Sequence, residues 1–186
     1  KLRVPDERLK KASVWSYFRG AKREPEKLDE GATLVLQTRG KKGWFWYIPQ
    51  HNDIVSVGVV ADLEYLHDGR GRSSEQIFLE EVENCPAVKK RIDGAERVTG
   101  YFTTKDFSYR SSRLAGDGWV LIGDAFGFLD PIYSSGLQLA FASGMMAGDC
   151  IAEGLKKGDL SASQLGKWGP EFVQGMDRLK RLVYAF

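Results

Sequence analysis

The sequence predicts an α+β fold in which an antiparallel sheet is followed by a separate strand and one long buried helix. Runs of β-branched and aromatic residues, separated by Gly or Asn/Asp clusters, occupy much of residues 14–60. Residues 119–122 form a short continuous apolar run, which is typical of a strand covered on both faces. Residues 135–155 show a helical pattern that is almost entirely apolar, so we expect that helix to be buried.

The sheet is predicted from strand-like segments and from the turns between them. Four segments cover residues 14–19, 33–38, 44–49 and 54–60. Asn and Asp residues precede the last segment and favour a tight connection, so we expect the four strands to form an antiparallel meander. Tyr and Phe residues favour a fifth strand within 98–108.

Helix signals follow the sheet. Ser73-Ser74-Glu75-Gln76 is a capping arrangement that predicts a helix over residues 74–84. A second helical pattern follows Pro86 over residues 87–92. A third pattern, at 169–186, reaches the last residue without a stop signal, and the chain begins without Met. We therefore treat the sequence as a fragment.

Composition narrows the classes of partner. The 186 residues suit one domain or parts of two, and Lys+Arg 27 against Asp+Glu 25 leaves a formal charge of +2. Basic clusters are interrupted by acidic residues, so we expect no nucleic-acid partner. No apolar run approaches the roughly 18 residues of a membrane span. Cys85 and Cys150 lack metal or disulfide spacing, so we expect no metal site and a cytoplasmic protein.

The junction between the apolar strand and the long helix carries the strongest functional signal. Asp124 follows the strand directly, which places a carboxylate at the rim of a sheet, where ligands of α/β folds bind. That carboxylate is suited to accept hydrogen bonds from ribose or ribityl hydroxyls. Gly123 and Gly127 allow a sharp turn and keep side chains away from a ligand.

The start of the long helix is a candidate anion site. Asp130-Pro131 leads into Ser134-Ser135-Gly136, where the first helical N–H groups lack partners unless a cap or ligand meets them. The helix dipole favours a negative group there by about 0.3–1 kcal/mol. Small residues along the helix, including Ala140 and Ser143, allow a backbone or a flat ring to approach. The alternative is an ordinary strand, turn and helix capped by Ser134 or Ser135.

A second signal is the aromatic strand Gly43-Trp44-Phe45-Trp46-Tyr47-Ile48-Pro49. The two-residue period of a strand places Trp44 and Trp46 on one face, and Phe45 and Tyr47 on the other. Two neighbouring indoles would form a rigid apolar wall that excludes water from a reactive species. The alternative is an aromatic strand that only packs in a core.

Two stretches resemble a known family. Residues 110–125 and 128–136, with Gly123-Asp124-Ala125 and Asp130-Pro131 among them, resemble the second FAD motif of the flavin-dependent halogenases. These enzymes belong to the para-hydroxybenzoate-hydroxylase-like flavoproteins. The strand at 44–49 resembles the WxWxIP signature of the halogenases, whose tryptophans lie near the flavin.

The resemblance implies FAD as the cofactor, with chloride or bromide as a further ligand. The implied cofactor-binding residues are Gly123, Asp124, Ala125, Gly127, Asp130, Pro131, Ser135, Gly136 and Leu137. Ser134, Ser135 and Gly136 are the implied halide-binding residues, and Trp44 and Trp46 the implied catalytic wall. It further implies a flavin reductase as partner and a small-molecule or carrier-bound substrate.

The resemblance also implies a division of the chain. Residues 1–110 would form the substrate-domain sheet of a flavoprotein monooxygenase-like fold, and 111–156 the C-terminal part of the FAD domain. Residues 157–186 would begin a truncated helical region. No GxGxxG follows a strand in this sequence, so the adenine-side half of the site and the family's catalytic lysine are expected outside it.

We therefore expect part of an FAD-dependent, halogenase-like oxidoreductase that uses reduced flavin and oxygen to oxidise halide. One alternative is an FAD-dependent monooxygenase or a geranylgeranyl-reductase-like flavoprotein. Another is a non-catalytic module that retains the fold.

Overall fold

The computed structural model describes residues 2–23, 31–69 and 71–186, and it separates the chain into two compact units. The first unit consists of Lys1–Leu9 and Phe107–Phe186, and the second of Lys10–Asp106. Both combine helices with antiparallel strands, which confirms the α+β class. The three-part division at residues 110 and 156 stays a prediction.

The elements of the described residues are numbered in chain order. The strands are β1 (Arg3–Pro5), β2 (Lys11–Arg19), β3 (Leu34–Gln37), β4 (Gly43–Pro49), β5 (Ile54–Asp62), β6 (Glu96–Arg97), β7 (Phe102–Lys105), β8 (Tyr109–Ser111), β9 (Ala115–Gly116), β10 (Trp119–Val120) and β11 (Gly127–Phe128). The helices are α1 (Leu63–Leu66), α2 (Ser74–Glu83), α3 (Pro86–Ile92), α4 (Gly123–Phe126), α5 (Gly136–Lys157), α6 (Ala162–Leu165) and α7 (Gly169–Ala185). Short 3-10 helices lie at Arg39–Lys41 and Pro131–Tyr133.

The second unit contains an antiparallel sheet in the order β3-β4-β5-β2-β6, with β7 also paired to β2. The predicted meander is correct for β3, β4 and β5 but wrong for β2, which pairs with β5 instead of β3. β2 pairs with β5 because both strands are long and apolar. β2 and β5 pair over nine residues each, and β5 is buried along almost its whole length, so it takes partners on both sides.

One face of this sheet packs against α2 and α3. Val14, Phe45 and Val57 from three strands are fully buried there, and Phe78 of α2 lies among them. The predicted capping box is confirmed, because Ser73 accepts from the Gln76 N–H while the Gln76 side chain accepts from the Ser73 N–H. Amphipathic α2 is therefore fixed at its start and buried along its apolar side.

The predicted fifth strand at 98–108 is confirmed only over Phe102–Lys105, which form β7 and pair with β2. The short strands β6 and β8 lie just outside this range. Asp106, with φ at 51°, takes a left-handed conformation that interrupts regular pairing. The strand β8 then belongs to the first unit, where it pairs with β1 and β11.

In the first unit, two predictions about burial are wrong. The apolar run at 119–122 contributes only β10, which pairs with β9 in a local hairpin, and Trp119 and Ile122 are exposed at 38% and 41%. Helix α5 matches the predicted helix but is buried on one side only. Phe141 and Met145 are exposed at 65% and 74%, because side chains four residues apart share a face that no described residue covers. An apolar composition did not reveal which face packs.

The core of the first unit lies between α4, α5 and α7. Phe126, Trp168 and Phe172 form a cluster of edge-to-face rings with centroids 5.2–6.4 Å apart. Leu139 and Ala147 of α5 pack against this cluster. The helical pattern predicted at 169–186 is confirmed as α7, whose Phe172 and Met176 are buried.

Candidate flavin and halide site

The turn at Gly123 lies directly against helix α5. Gly123 has φ at +51°, a left-handed conformation that side chains other than glycine adopt at a cost. A Cβ at this position would lie 3.2 Å from the Cβ of Ala140. Glycine is therefore required here by backbone conformation and by close packing together, and the small side chain of Ala140 makes the approach possible.

The backbone around Asp124 is held by a hydrogen bond on each side. The Gly123 N–H donates to Ser143 Oγ at 2.9 Å, and Tyr109 Oη donates to the Asp124 carbonyl oxygen at 2.6 Å. The Asp124 side chain itself is exposed, and it makes no hydrogen bond or ion pair with any residue that the structure describes. The turn thus presents a free carboxylate from a fixed backbone.

Gly127 serves packing inside the protein. A Cβ on Gly127 would lie 2.7 Å from the Tyr109 carbonyl oxygen and 3.1 Å from Arg110 Cα, because β11 runs close to β8. The sequence predicts that this glycine leaves space for a ligand. The structure gives it a second reason, the close approach of two strands.

The loop from Asp130 to Gly136 is shaped by its own polar groups. Asp130 is 4% exposed, and its carboxylate accepts from the Ile132 N–H at 2.9 Å. Pro131 begins the short 3-10 helix, which ends at Ser134 in a left-handed conformation with φ at 50°. Asp130 therefore has a structural role in this loop, and its contact with a cofactor stays a prediction.

Helix α5 begins without a side-chain cap. Ser135 is the N-cap residue, as one of the two serines was expected to be, but its side chain accepts no hydrogen bond from the first turn. The helix is 22 residues long, so its first N–H groups and its dipole both favour a negative group at this end. Ser134 and Leu137 are both exposed, and Gly136 between them is the first helical residue.

The predicted tryptophan wall lies in the second unit, on the sheet face opposite the helices. Phe45 and Tyr47 are buried in the core, whereas Trp44 and Trp46 share the other face with ring centroids 6.3 Å apart. Trp15 of β2 lies 6.1 Å from Trp46. The wall therefore contains a third tryptophan that is outside the WxWxIP signature.

The orientation of Trp46 is set by two residues of β5. Trp46 Nε1 donates to Ser56 Oγ at 3.1 Å. Gly58 lies beneath the indole, and a Cβ there would be 2.1 Å from a ring carbon of Trp46. Since such a contact is sterically excluded, the absence of a side chain at Gly58 allows the ring to lie flat against β5.

Sequence reasoning missed the polar contacts that hold these groups. Ser143 was expected only as a small residue of α5, and Ser56 and Gly58 only as parts of a strand. A buried serine in an apolar helix is a weak signal by itself, because its partner depends on which turn the helix packs against. These contacts are set by tertiary structure.

The residues of the first unit fit part of an FAD molecule. The free carboxylate of Asp124 matches ribityl or ribose hydroxyls, which are donors, and the uncapped start of α5 matches an anionic ring or a halide. A separate cavity of about 440 Å³ in this unit is lined by Asp6, Arg110, Phe128 and Lys180 among others, and by none of the residues implied to bind the cofactor. We do not assign that cavity to FAD.

The described part of the chain contains neither a membrane-spanning helix nor a metal-binding group of side chains. Among those residues, no helix is both long enough and apolar enough to cross a membrane. Within the same residues, no three His, Cys, Asp or Glu side chains come together in a group that could hold a metal ion.

Known proteins resemble this chain in sequence. The family model described as tryptophan halogenase matches residues 27–179. The flavin-dependent halogenase ptaM of Pestalotiopsis fici is 34% identical over 181 residues, which cover 94% of this chain and 33% of that protein. A 1H-pyrrole-2-carbonyl (peptidyl-carrier protein) brominase of Pseudoalteromonas luteoviolacea is 31% identical over 147 residues, or 78% of this chain and 35% of that protein. The chain thus spans about a third of the length of these relatives.

Solved structures resemble it as well. The flavin-dependent brominase Bmp2 has a TM-score of 0.88 at 27% identity, with 98% of this chain and 45% of that chain covered. The myxobacterial chondrochloren halogenase CndH, an FAD-dependent halogenase, has a TM-score of 0.85 at 29% identity, with 99% and 42% covered. FAD is the cofactor of such enzymes. The fold, the strand-to-helix turn and the family match agree, and the chain belongs to the tryptophan halogenase family of flavin-dependent enzymes.

Proposed function

We propose that this chain is part of an FAD-dependent halogenase that uses reduced FAD and oxygen to oxidise chloride or bromide. The observation that carries the proposal is the exposed Asp124 carboxylate, which is presented from a backbone held on both sides. The WxWxIP strand favours halogenation over other flavin reactions. Residues 111–156 would then belong to the FAD domain of the longer protein.

Each group has a role set by its chemistry. Asp124 accepts hydrogen bonds from ribityl hydroxyls, while Gly123 and Ala125 keep the turn free of bulky side chains. The N–H groups at Ser135, Gly136 and Leu137 donate to the flavin ring or to a halide, next to Ser134. Reduced FAD, when bound, would supply two of the four electrons that oxygen accepts, and the halide would supply the other two as it is oxidised.

The resemblance to the halogenases gives the tryptophans the role of excluding water from a reactive species. Trp44 is buried, at 6% exposure, and Trp46 is half-buried. Neither indole carries a general acid or base, so we assign them to the exclusion of water and not to proton transfer. The indole N–H of Trp46 is already bonded to Ser56, which leaves no free donor on that ring. Such a wall suits the confinement of an oxidised halogen species.

The substrate would be an electron-rich small molecule or an acyl group on a carrier protein. Similar proteins include a sulochrin halogenase of Aspergillus terreus, 31% identical over 191 residues, and the pyrrole-carrier brominase named above. A separate flavin reductase would supply the reduced cofactor.

Halide dependence tests the proposal. The full-length protein is incubated with FAD, a flavin reductase, oxygen and a panel of phenol and pyrrole substrates, with chloride, bromide or no halide. We expect products that carry the added halogen and disappear without halide. Hydroxylated or reduced products that form equally without halide would instead assign a monooxygenase or a reductase of the geranylgeranyl-reductase type. A protein that fails to bind FAD would indicate a non-catalytic module.

The substitution Asp124→Ala tests the carboxylate directly. We expect the variant of the full-length protein to lose FAD on gel filtration, with affinity lowered roughly tenfold, because about 1.5 kcal/mol is typical for hydrogen bonds to a charged group. The measurement is the ratio of flavin to protein absorbance. Asp93→Ala, at an exposed aspartate that ends α3 in the second unit, is the matched control and should retain FAD. Unchanged flavin content in the Asp124 variant would contradict the assigned role.

A further inference from the structure

We propose that Ser143 and Tyr109 are positioning residues of the flavin site, which together fix the direction of the Asp124 carboxylate. This inference rests on the proposed function, because it assumes that Asp124 contacts the cofactor. It adds two residues that belong to neither sequence motif. Both act through the backbone on either side of Asp124.

Ser143 is fully buried on α5, and its hydroxyl both donates and accepts a hydrogen bond. Its Oγ accepts the Gly123 N–H at 2.9 Å and lies 2.7 Å from the Leu139 carbonyl oxygen, to which it donates. A serine that donates back to its own helix keeps its lone pairs for an incoming N–H. Helix α5 therefore offers a single fixed acceptor to the turn that precedes Asp124.

The hydrogen bond matters because its donor is a glycine. Glycine populates left-handed and right-handed backbone conformations with similar ease, so Gly123 does not by itself hold φ at +51°. The contact with Ala140 limits the approach of the turn to α5 but does not select a peptide orientation. Ser143 does select one, because only one orientation directs the Gly123 N–H at its oxygen.

Tyr109 holds the other side of the same residue. Its phenol donates to the Asp124 carbonyl oxygen at 2.6 Å, and the Arg3 guanidinium lies over its ring at 4.3 Å from the centroid. Its backbone is set by β8, which lies between β1 and β11. The Tyr109 phenol is therefore held in place by a sheet, whereas the Ser143 hydroxyl is held in place by helix α5.

Ser143 restrains the peptide between Ile122 and Gly123, and Tyr109 restrains the peptide that follows Asp124. The Gly123 carbonyl oxygen accepts from the Gly127 N–H, so the backbone that carries the Asp124 side chain is held before and after it. A carboxylate on such a backbone is preorganised, so binding a ligand orders fewer groups. If the two hydrogen bonds only stabilised the fold, their loss would lower the melting temperature without a selective effect on flavin. The two roles therefore make different predictions.

The test uses the full-length FAD-binding protein with Ser143→Ala, Tyr109→Phe and the double variant. We expect Ser143→Ala to weaken FAD binding roughly tenfold, because it leaves the Gly123 N–H without its acceptor. Tyr109→Phe should weaken it about threefold, because water can replace the phenol at the exposed Asp124 carbonyl oxygen. Both changes should alter the visible circular dichroism of bound flavin. Ser143→Thr, which keeps the hydroxyl, should restore affinity to within about threefold of wild type. If Ser143→Ala does not fold, the FAD affinity of Tyr109→Phe tests the positioning role.

Matched controls separate positioning from stability. Ser16→Ala removes a buried hydroxyl that bonds the Gly100 carbonyl oxygen, and Tyr65→Phe removes a phenol that bonds Glu81. Both controls lie in the second unit and should lower the melting temperature while FAD affinity stays unchanged. If Ser143→Ala and Tyr109→Phe bind FAD as wild type does while Asp124→Ala loses it, the positioning role is overturned and the proposed function stands. If wild type itself binds no FAD, both are overturned.

Discussion

At the scale of the residue, the glycines of this chain serve packing as much as ligand access. Gly58 lies beneath the Trp46 indole, and Gly123 lies against Ala140 of α5. A Cβ on Gly58 would overlap the ring, whereas a Cβ on Gly123 would be tight against Ala140 and would also strain the left-handed backbone. The sequence indicated flexible turns at such positions, whereas the structure shows close approaches between specific groups.

The variant Gly58→Ala tests the link between glycine and tryptophan. The new Cβ would overlap the Trp46 ring, so we expect the indole to move and stability to fall by about 1–3 kcal/mol. Tryptophan fluorescence should shift towards the emission of a more exposed indole, and the melting temperature should fall. Gly175→Ala in α7 is the control, because nothing lies within 4 Å of its added Cβ, and we expect it to stabilise the helix by about 1 kcal/mol. An unchanged spectrum for Gly58→Ala would refute the packing argument.

At the scale of the element, the sequence predicts a helix start correctly where the hydrogen-bond partners of the first turn lie close together in the sequence. The capping box of α2 can be predicted from the sequence because its donors and acceptors lie within four residues of one another. The buried face of α5 cannot be predicted in this way. Leu139 and Ala147 face the core while Phe141 and Met145 face outward, and all four side chains are apolar. Periodicity identifies a helix but identifies its buried face only where the opposite face is polar.

The substitution Ser73→Ala should destabilise the second unit by about 1 kcal/mol, because it removes the acceptor of the Gln76 N–H at the start of α2. The measurement is thermal unfolding followed by circular dichroism. Ser74→Ala is the matched control, since Ser74 is the first helical residue and alanine is a better helix former there. Equal melting temperatures for the two variants would show that the cap contributes nothing.

At the scale of the whole molecule, residues distant in sequence meet within the first unit. Asp6 accepts from Tyr184 Oη at 2.8 Å and pairs with Lys180 at 2.9 Å, which ties the segment after β1 to α7. Burial alone would raise the pKa of Asp6, but the hydrogen bonds from Lys180 and Tyr184 outweigh it and lower the pKa below its ordinary value of 3.8. The folded state therefore prefers the ionised carboxylate.

The variant Asp6→Asn should lower stability by about 1 kcal/mol at neutral pH. A depressed carboxyl pKa stabilises the folded state above the unfolded value of 3.8, and this contribution is lost as pH falls through the lower folded value. The difference in melting temperature between wild type and variant should therefore be constant near neutral pH and shrink below about pH 4. Melting curves across this range provide the measurement. A difference that does not change with pH would exclude the ionised carboxylate as its source.

The sequence by itself determined the class of the fold, the bounds of α2, α3, α5 and α7 to within two residues, and the residue types of the turn at Asp124. These features depend on interactions between residues a few positions apart, such as caps, helical spacing and strand alternation. Only the tertiary structure decided that β2 pairs with β5, which face of α5 is buried, and that Ser143 and Tyr109 hold the Asp124 backbone. These three features depend on contacts between residues that are distant in sequence. An apolar or small residue can pack against several different surfaces, so its own identity does not reveal which surface it contacts in the folded protein.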